Sequence, residues 1–203
     1  HGLSVLLPLI KLVLVMYLAC ILQILIVYLP CVKVTGLTPS RFLKGLASPM
    51  MIAFTTCSSA AALSTTLLSV QKLGASRSVS SFSIPLGNTI NMDGTSIMQG
   101  VAVVFIAQAY GIPLTPAAIA TVIVTATIAS IGTAGVPSVG LVTLSMVLSS
   151  VGLPTEGIAL IMGIDRILDM LRTAVNITGD AVCTTVVANQ EGALNREVFQ
   201  KDL

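Results

Sequence analysis

Apolar residues run in long stretches along this chain, and each stretch is ended or broken by a short polar signal. Residues 3–29 are almost wholly apolar and long enough to span a bilayer, with Lys11 inside the run obliged to face protein or to snorkel. A basic loop follows with Lys33, Arg41 and Lys44. Residues 47–70 are apolar again, but Thr55-Thr56-Cys57-Ser58-Ser59 breaks them in the middle, and Lys72 and Arg77 close them. Residues 78–110 are interrupted by the run from Gly87 to Thr95, which is rich in Gly, Asn, Asp and Thr and poor in helix formers. After the uncharged loop at Gly111-Ile112-Pro113, residues 116–149 carry a similar break from Ser130 to Pro137. The last segment, residues 156–188, ends before Glu191, Arg196 and Lys201.

The order predicted is helix, hairpin, broken helix, hairpin, polar helix. Lys and Arg collect in cytoplasmic loops, so the two basic clusters flanking residues 47–70 predict a segment that enters the membrane, turns at its Ser-rich middle and leaves on the same side. Non-helical backbone at that depth is tolerated only where protein buries it or where it lines a cavity. Two interrupted stretches placed on either side of a broken helix point to a transporter site. The alternative is a set of ordinary spanning helices kinked at glycine.

Composition agrees with lipid as the solvent. Apolar residues make up 55% of the 203, charged residues 9%, and the mean hydropathy is +0.99, against about 25% charged residues in soluble domains. Between Arg77 and Glu156 the only charge is Asp93. A net charge of +2 without tryptophan or a basic-aromatic patch points away from nucleic acid. Cys20, Cys31, Cys57 and Cys183 lack the spacing of a zinc site or a disulfide framework and read as isolated buried thiols. With His1 as the sole histidine, neither a histidine metal site nor a catalytic triad is available. The opening run is too long for a signal-peptide core and no cleavage site follows it; a chain that starts on His1 inside it reads as a fragment or a processed product.

The chemistry lies in the last segment. Asp165, Asp169, Arg172, Asn176 and Asp180 are spaced 4, 3, 4 and 4 apart, with Thr173 beside them, which puts them on one helical stripe. Such a stripe is costly in lipid and must face a cavity, ions or other helices. Pairing of Asp165 or Asp169 with Arg172 would neutralise part of it and leave Asp93 and Asp180 without basic partners. Cations from outside account for those two carboxylates. Sodium fits, as a hard cation that takes oxygen ligands, with unwound backbone around Asn91-Met92-Asp93-Gly94-Thr95 freeing carbonyl oxygens.

Those five residues match a signature of the dicarboxylate/amino acid:cation symporters, which include the glutamate transporters. Ser130 through Pro137 resembles the tip of that family's second hairpin, and Asp169 through Asp180 resembles its eighth helix. The resemblance implies an all-α integral membrane fold with two re-entrant helical hairpins and a broken helix, the elevator-type transport domain of a glutamate transporter. It implies the sixth helix at 1–35, the first hairpin at 40–76, the broken seventh helix at 77–111, the second hairpin at 115–151, the eighth helix at 155–192 and a cytoplasmic tail at 193–203. The first five helices, scaffold included, would be absent.

By the same resemblance, Arg172 and Thr95 would hold the substrate side-chain carboxylate and Asp169 its ammonium. Thr173, Asn176 and the backbone at Ser59 would hold the α-carboxylate, and the backbone at Val136 and Gly140 would close over it. One sodium would sit among Gly87, Asn91, Asn176 and Asp180. A second would lie under the second hairpin with Thr89, Met92, Ser130, Ile131 and Thr133. A third would use Asn91 and Asp93. The implied whole is a multi-pass plasma-membrane protein, in contact with lipid and trimeric at full length, that takes up aspartate or glutamate with Na+. Where the family usually carries an arginine at the position of Cys57 or of Met170, this chain has neither, and Arg166 lies one turn before Met170 as a substitute.

Two other readings stand beside that one. The same fold could couple to protons or carry cystine, a neutral amino acid or a C4-dicarboxylate, although Asp169 would find no ammonium on a dicarboxylate. A membrane hydrolase using Ser58 or Ser59 would lack a base.

Overall fold

The computed structural model describes residues 2–201, with side chains over 7–200. The described residues are helical almost throughout, with no strand and a lone antiparallel bridge between Ala75 and Leu194. The first rod comprises α1 (Gly2–Leu22), a π-turn (Gln23–Tyr28) and α2 (Leu29–Val34). The π-turn ends two residues before Pro30, which has no N–H to give and crowds the carbonyl one turn back; the wider i to i+5 turn, closed by Leu29 N–H on the Ile24 carbonyl, accommodates it. Then come α3 (Pro39–Gly45), α4 (Ala47–Thr56), α5 (Ser59–Lys72), α6 (Arg77–Ile90), α7 (Asp93–Ala109), α8 (Pro116–Ser130) and α9 (Val139–Ser150). A 3-10 turn (Thr155–Gly157) leads into α10 (Ile158–Met162), α11 (Asp165–Gln190) and α12 (Arg196–Lys201).

The starts of three helices follow from local chemistry. Ser58, Ser76 and Thr115 each accept a hydrogen bond on the side-chain oxygen from the N–H three residues on, at Ala61, Val79 and Ala118, which satisfies an otherwise orphaned donor. Cys57 ends α4 in the left-handed region at φ 54°. The sequence reads as one stretch over 156–188, but the helix is split at Gly163 and Ile164, where Gly163 favours helix least and Ile164 leaves helical geometry at φ −113°, ψ 2°.

Helix α11 is the axis of the molecule. It packs against α1, α4, α5, α6 and α7, and every residue from Arg172 to Val182 is buried. The pairs α4/α5 and α8/α9 each fold back on themselves, and their tips meet: Ser58 Oγ donates to the Gly135 carbonyl at 2.8 Å and Ala60 N–H donates to the same oxygen at 3.2 Å. At one end the C-terminal segment ties the loops together. Arg41 donates to the Gln200 carbonyl and lies over the Phe199 ring, Arg196 donates to the Thr35 carbonyl, Asn195 N–H to Gly74 O and Ser76 N–H to Ala193 O. The basic clusters on either side of α4/α5 therefore share one end.

Polarity is distributed inside out. The buried centre holds Asp165, Asp169, Arg172, Asn176 and Asp180, while Leu14, Leu18 and Ile26 on the first rod, Ile123 and Ile128 on α8, and Val142 and Met146 on α9 are exposed. Water would penalise that surface and hydrocarbon would not. Two helical stretches, Leu7–Val34 and Arg77–Ala109, are long and apolar enough to cross a membrane. Lys11 is exposed and lines an apolar groove of about 840 Å³ between α1 and α7.

Candidate functional site

The stripe on α11 faces the place where the two hairpin tips and the break between α6 and α7 converge. Arg172 is 4% exposed and Asp169 1%, and they form an ion pair of 2.8 Å from Nη2 to Oδ1. Asp169 is fully engaged: Thr173 Oγ1 donates to Oδ1 at 2.7 Å and the backbone N–H of Ser138, in the second hairpin tip, donates to Oδ2 at 2.8 Å. Arg172 is not, since its buried Nη1 has no hydrogen-bond partner. Both oxygens of buried Asp165 also lack a partner, so of the two pairings open in the sequence the structure takes Asp169.

Ser59, Thr95, Val136, Arg172, Thr173 and Asn176 all line one cavity of about 10 Å³, roughly the space one water requires. Gly140 sits outside the lining and against the guanidinium, where a methyl group would collide with Arg172 Nη1. Asn176 connects this cavity to the broken helix. Its Oδ1 accepts from Gly94 N–H at 2.8 Å, and its Nδ2 reaches Met92 Sδ at 3.2 Å and Thr95 Oγ1 at 3.3 Å. Gly94 allows that approach, because a Cβ there would run into the Arg172 carbonyl. Changing Gly94 to Ala should therefore unseat α7 from α11, and a clear fall in melting temperature with loss of ligand binding would be the readout.

The residues expected around sodium fall into three groups. Gly87, Asn91, Asn176 and Asp180 come together: Asn91 Nδ2 donates to Asp180 Oδ1 at 2.9 Å and to the Asn176 carbonyl at 3.1 Å, and Gly87 abuts the Asp180 carboxylate. Around the second hairpin, Gly132 N–H donates to the Thr89 carbonyl at 2.9 Å, Ser130 Oγ accepts from Ser96 Oγ at 2.8 Å, Thr133 Oγ1 donates to Ala129 O, and Met92 and Thr133 share the cavity wall. Ile131 is exposed at the tip. Asp93 lies beside the first group, against the first rod, where Gln23 Nε2 at 3.0 Å and the Tyr28 hydroxyl at 2.8 Å both donate to Oδ2, and the Tyr28 hydroxyl and Asn91 Nδ2 both border Gly179. Among the described residues neither Asp93 nor Asp180 forms an ion pair with Lys or Arg; their hydrogen-bond donors are neutral.

Sequence reasoning did not find Ser96, Ser138, Gln23 or Tyr28. Gln23 had a visible signal as a lone amide in an apolar run, whereas the Ser138 contact is made by backbone and leaves none. Arg166 is exposed, and its Nη2 donates to the Thr55 carbonyl at 3.0 Å, at the end of α4, where positive charge suits the helix dipole. Cys57 Sγ lies 3.7 Å from the Arg166 carbonyl.

An apolar exterior around a buried, charged, helix-broken centre is the layout of a protein that faces lipid. The chain belongs to the sodium:dicarboxylate symporter family, whose model matches residues 1–190. It is 38% identical over 196 residues to the proton/sodium-glutamate symport protein of Bacillus caldotenax, covering 97% of this chain and 47% of that protein. It is 45% identical over 166 residues to excitatory amino acid transporter 3 of Mus musculus (81% and 31%) and 44% identical over 149 residues to neutral amino acid transporter A of Homo sapiens (73% and 28%). The chain thus spans about half the length of the bacterial relative and about a third of the animal ones. These relatives are named as symporters and transporters.

Proposed function

We propose that the chain is the substrate-carrying part of a secondary active symporter that moves aspartate or glutamate together with sodium. The observation that carries this reading is the buried Asp169–Arg172 pair beside the cavity between the hairpin tips. An acidic amino acid brings one ammonium and one surplus carboxylate. Inserted between Asp169 and Arg172, it exchanges one buried ion pair for two, so both protein charges are compensated with and without substrate, the condition that makes burial of charge tolerable. Arg172 Nη1 and Nη2 form a planar fork suited to a carboxylate, with Thr95 beside it. Thr173, Asn176 and the backbone at Ser59 are placed to hold the α-carboxylate. Similarity does not decide between acidic and neutral substrates, since relatives named for each match about equally well; the guanidinium favours the acidic class.

A cavity of about 10 Å³ does not admit an amino acid. Entry requires the second hairpin tip, residues 131–138, to swing out, releasing the Ser138 amide from Asp169 and the Gly135 carbonyl from Ser58 and Ala60. Ser138 is held at φ 63°, a conformation costly for a residue with a side chain, so the tip has strain to release on opening. Substrate and sodium, the latter taken by oxygens of Asp180, Asn91, Gly87, Asn176 and, under the tip, Thr89, Met92, Ser130, Ile131 and Thr133, would draw it closed. In this reading the pairs α4/α5 and α8/α9 are re-entrant hairpins entering from opposite faces. The common location of the flanking basic clusters at one end supports this for the first pair. The whole would be a multi-pass plasma-membrane protein working by an elevator motion as a homotrimer, with 1–35, 40–76, 77–111, 115–151 and 155–192 as its sixth helix, first hairpin, seventh helix, second hairpin and eighth helix.

Uptake of radiolabelled aspartate by the complete transporter in liposomes tests the function. Uptake should follow an inward sodium gradient; uptake driven by a proton gradient and indifferent to sodium would defeat the sodium reading. Gating has its own test. A Cβ on Gly135 would lie 3.1 Å from the Ala60 nitrogen once the Ser59 hydroxyl moves aside, which places Ala60→Cys and Gly135→Cys within reach of a disulfide. With the native cysteines replaced, oxidation of this pair should stop uptake and reduction should restore it. Undiminished uptake by fully crosslinked protein would rule out opening at the tips.

A further inference from the structure

Among the described residues, Asp93 is the carboxylate of the proposed ion-binding set that accepts hydrogen bonds from the first rod. In an α-helix residues five apart are separated by about 140° around the axis and do not share a face. Gln23 and Tyr28 are five apart, yet both donate to the same oxygen, Asp93 Oδ2, at 3.0 and 2.8 Å. They can do so because the segment between them is a π-turn, in which residues i and i+5 are brought into line. Pro30, just beyond the turn, disfavours a return to ordinary α-helical bonding. Tyr28 is buried, and its hydroxyl packs against Gly179 on α11, where a Cβ would lie 2.6 Å from that hydroxyl and 2.5 Å from Asn91 Nδ2. The Tyr28 hydroxyl, Asn91 and the Asp93 carboxylate thus lie together where the first rod, the break before α7 and α11 meet. Both donors to Asp93 are neutral. They orient the carboxylate without cancelling its charge and occupy one of its oxygens, which leaves Oδ1 for a cation.

We propose that Gln23 and Tyr28 are positioning residues for cation binding at Asp93, and that the π-turn before Pro30 sets the sodium affinity of the transporter. The inference rests on the sodium-coupled reading above and assigns regulation of that affinity to an element that does not touch the amino acid. Groups that orient a metal-binding side chain change affinity by about 10- to 100-fold when removed.

The test uses the complete transporter and measures aspartate uptake against sodium concentration, with binding of aspartate at saturating sodium as the second measurement. Tyr28→Phe, which keeps the ring packed against Gly179, should raise the half-saturating sodium concentration at least about tenfold and leave aspartate affinity at saturating sodium and the melting temperature close to those of the parent. Pro30→Ala, which retains both donors but frees the turn to become α-helical, should shift sodium dependence in the same direction. A sodium dependence unchanged in Tyr28→Phe overturns the proposal, as does an equal loss of aspartate affinity at every sodium concentration, which marks a purely structural role. If the parent protein itself shows no sodium dependence, the underlying reading falls and this inference with it; sodium dependence in the parent with none of these shifts in the variants defeats the inference alone.

Discussion

Replacing Arg172 by cysteine should abolish aspartate binding while leaving sodium-dependent binding of serine or alanine possible. Arg172 is the buried cation of the cavity; its Nη1 has no partner, and in the proposed exchange its Nη2 leaves Asp169 as the substrate inserts, so both can turn to a carboxylate. A hydrogen bond to a charged group contributes about 1.5–3 kcal/mol net. Two of them to a side-chain carboxylate correspond to roughly 10²- to 10⁴-fold in affinity at 1.4 kcal/mol per factor of ten. A neutral amino acid makes no such contact and loses little. The variant also frees Asp169 from its internal partner, which strengthens its demand for an ammonium that every amino acid carries. Asp169→Asn should accordingly weaken aspartate and serine alike. Calorimetric titration of both variants with both amino acids separates the roles, and an aspartate affinity unchanged in Arg172→Cys would sink the assignment of the side-chain carboxylate to that residue.

The second large effect is expected at Asp180, which is 2% exposed. Its Oδ1 accepts from Asn91, and among the described residues it forms no ion pair with a basic side chain. A buried negative charge in that setting calls for a cation. Asp180→Asn retains an oxygen that can accept from Asn91, so the local packing is expected to survive, but the charge is gone. Half-saturating sodium should rise by more than about tenfold, the scale of losing a group that orients a bound ion, and uptake at ordinary sodium should fall to background. The stabilisation that sodium gives the parent protein, visible as a melting temperature that climbs with sodium concentration, should shrink in step. A variant that keeps both its sodium dependence and its sodium-induced stabilisation would remove Asp180 from the ion sites.

Much of this architecture was open to reading from local chemistry. The helix ends at Thr56, Ile90 and Ser130 fall within runs of Ser, Gly, Asn and Thr that favour turns over helix, and a turn preference acts within a few residues. The buried stripe on α11 could be read from spacing, since 3.6 residues per turn places Asp169, Arg172, Asn176 and Asp180 together whatever surrounds them. The apolar outer surface follows from composition alone. The width of the breaks could not be read so closely: the run 87–95 looked unwound as a whole, but only Asn91 and Met92 leave the helix, because Asn176 Oδ1 takes up the Gly94 N–H and lets α7 begin early.

Which buried groups find each other was decided by the tertiary structure. Asp169 lies three residues from Arg172 and Asp165 seven, about two turns away; the nearer carboxylate takes the ion pair, and Thr173 with the Ser138 amide from the second hairpin completes its partners, while Asp165 has none. Gln23 and Tyr28 meet Asp93 across separations of 70 and 65 residues, and the tips at Ser58 and Gly135 meet across 77. Periodicity and turn propensity depend on neighbouring residues and so can be read along the chain. The pairing of buried polar groups depends on which elements pack together, and a buried donor or acceptor takes whichever partner that packing brings within reach.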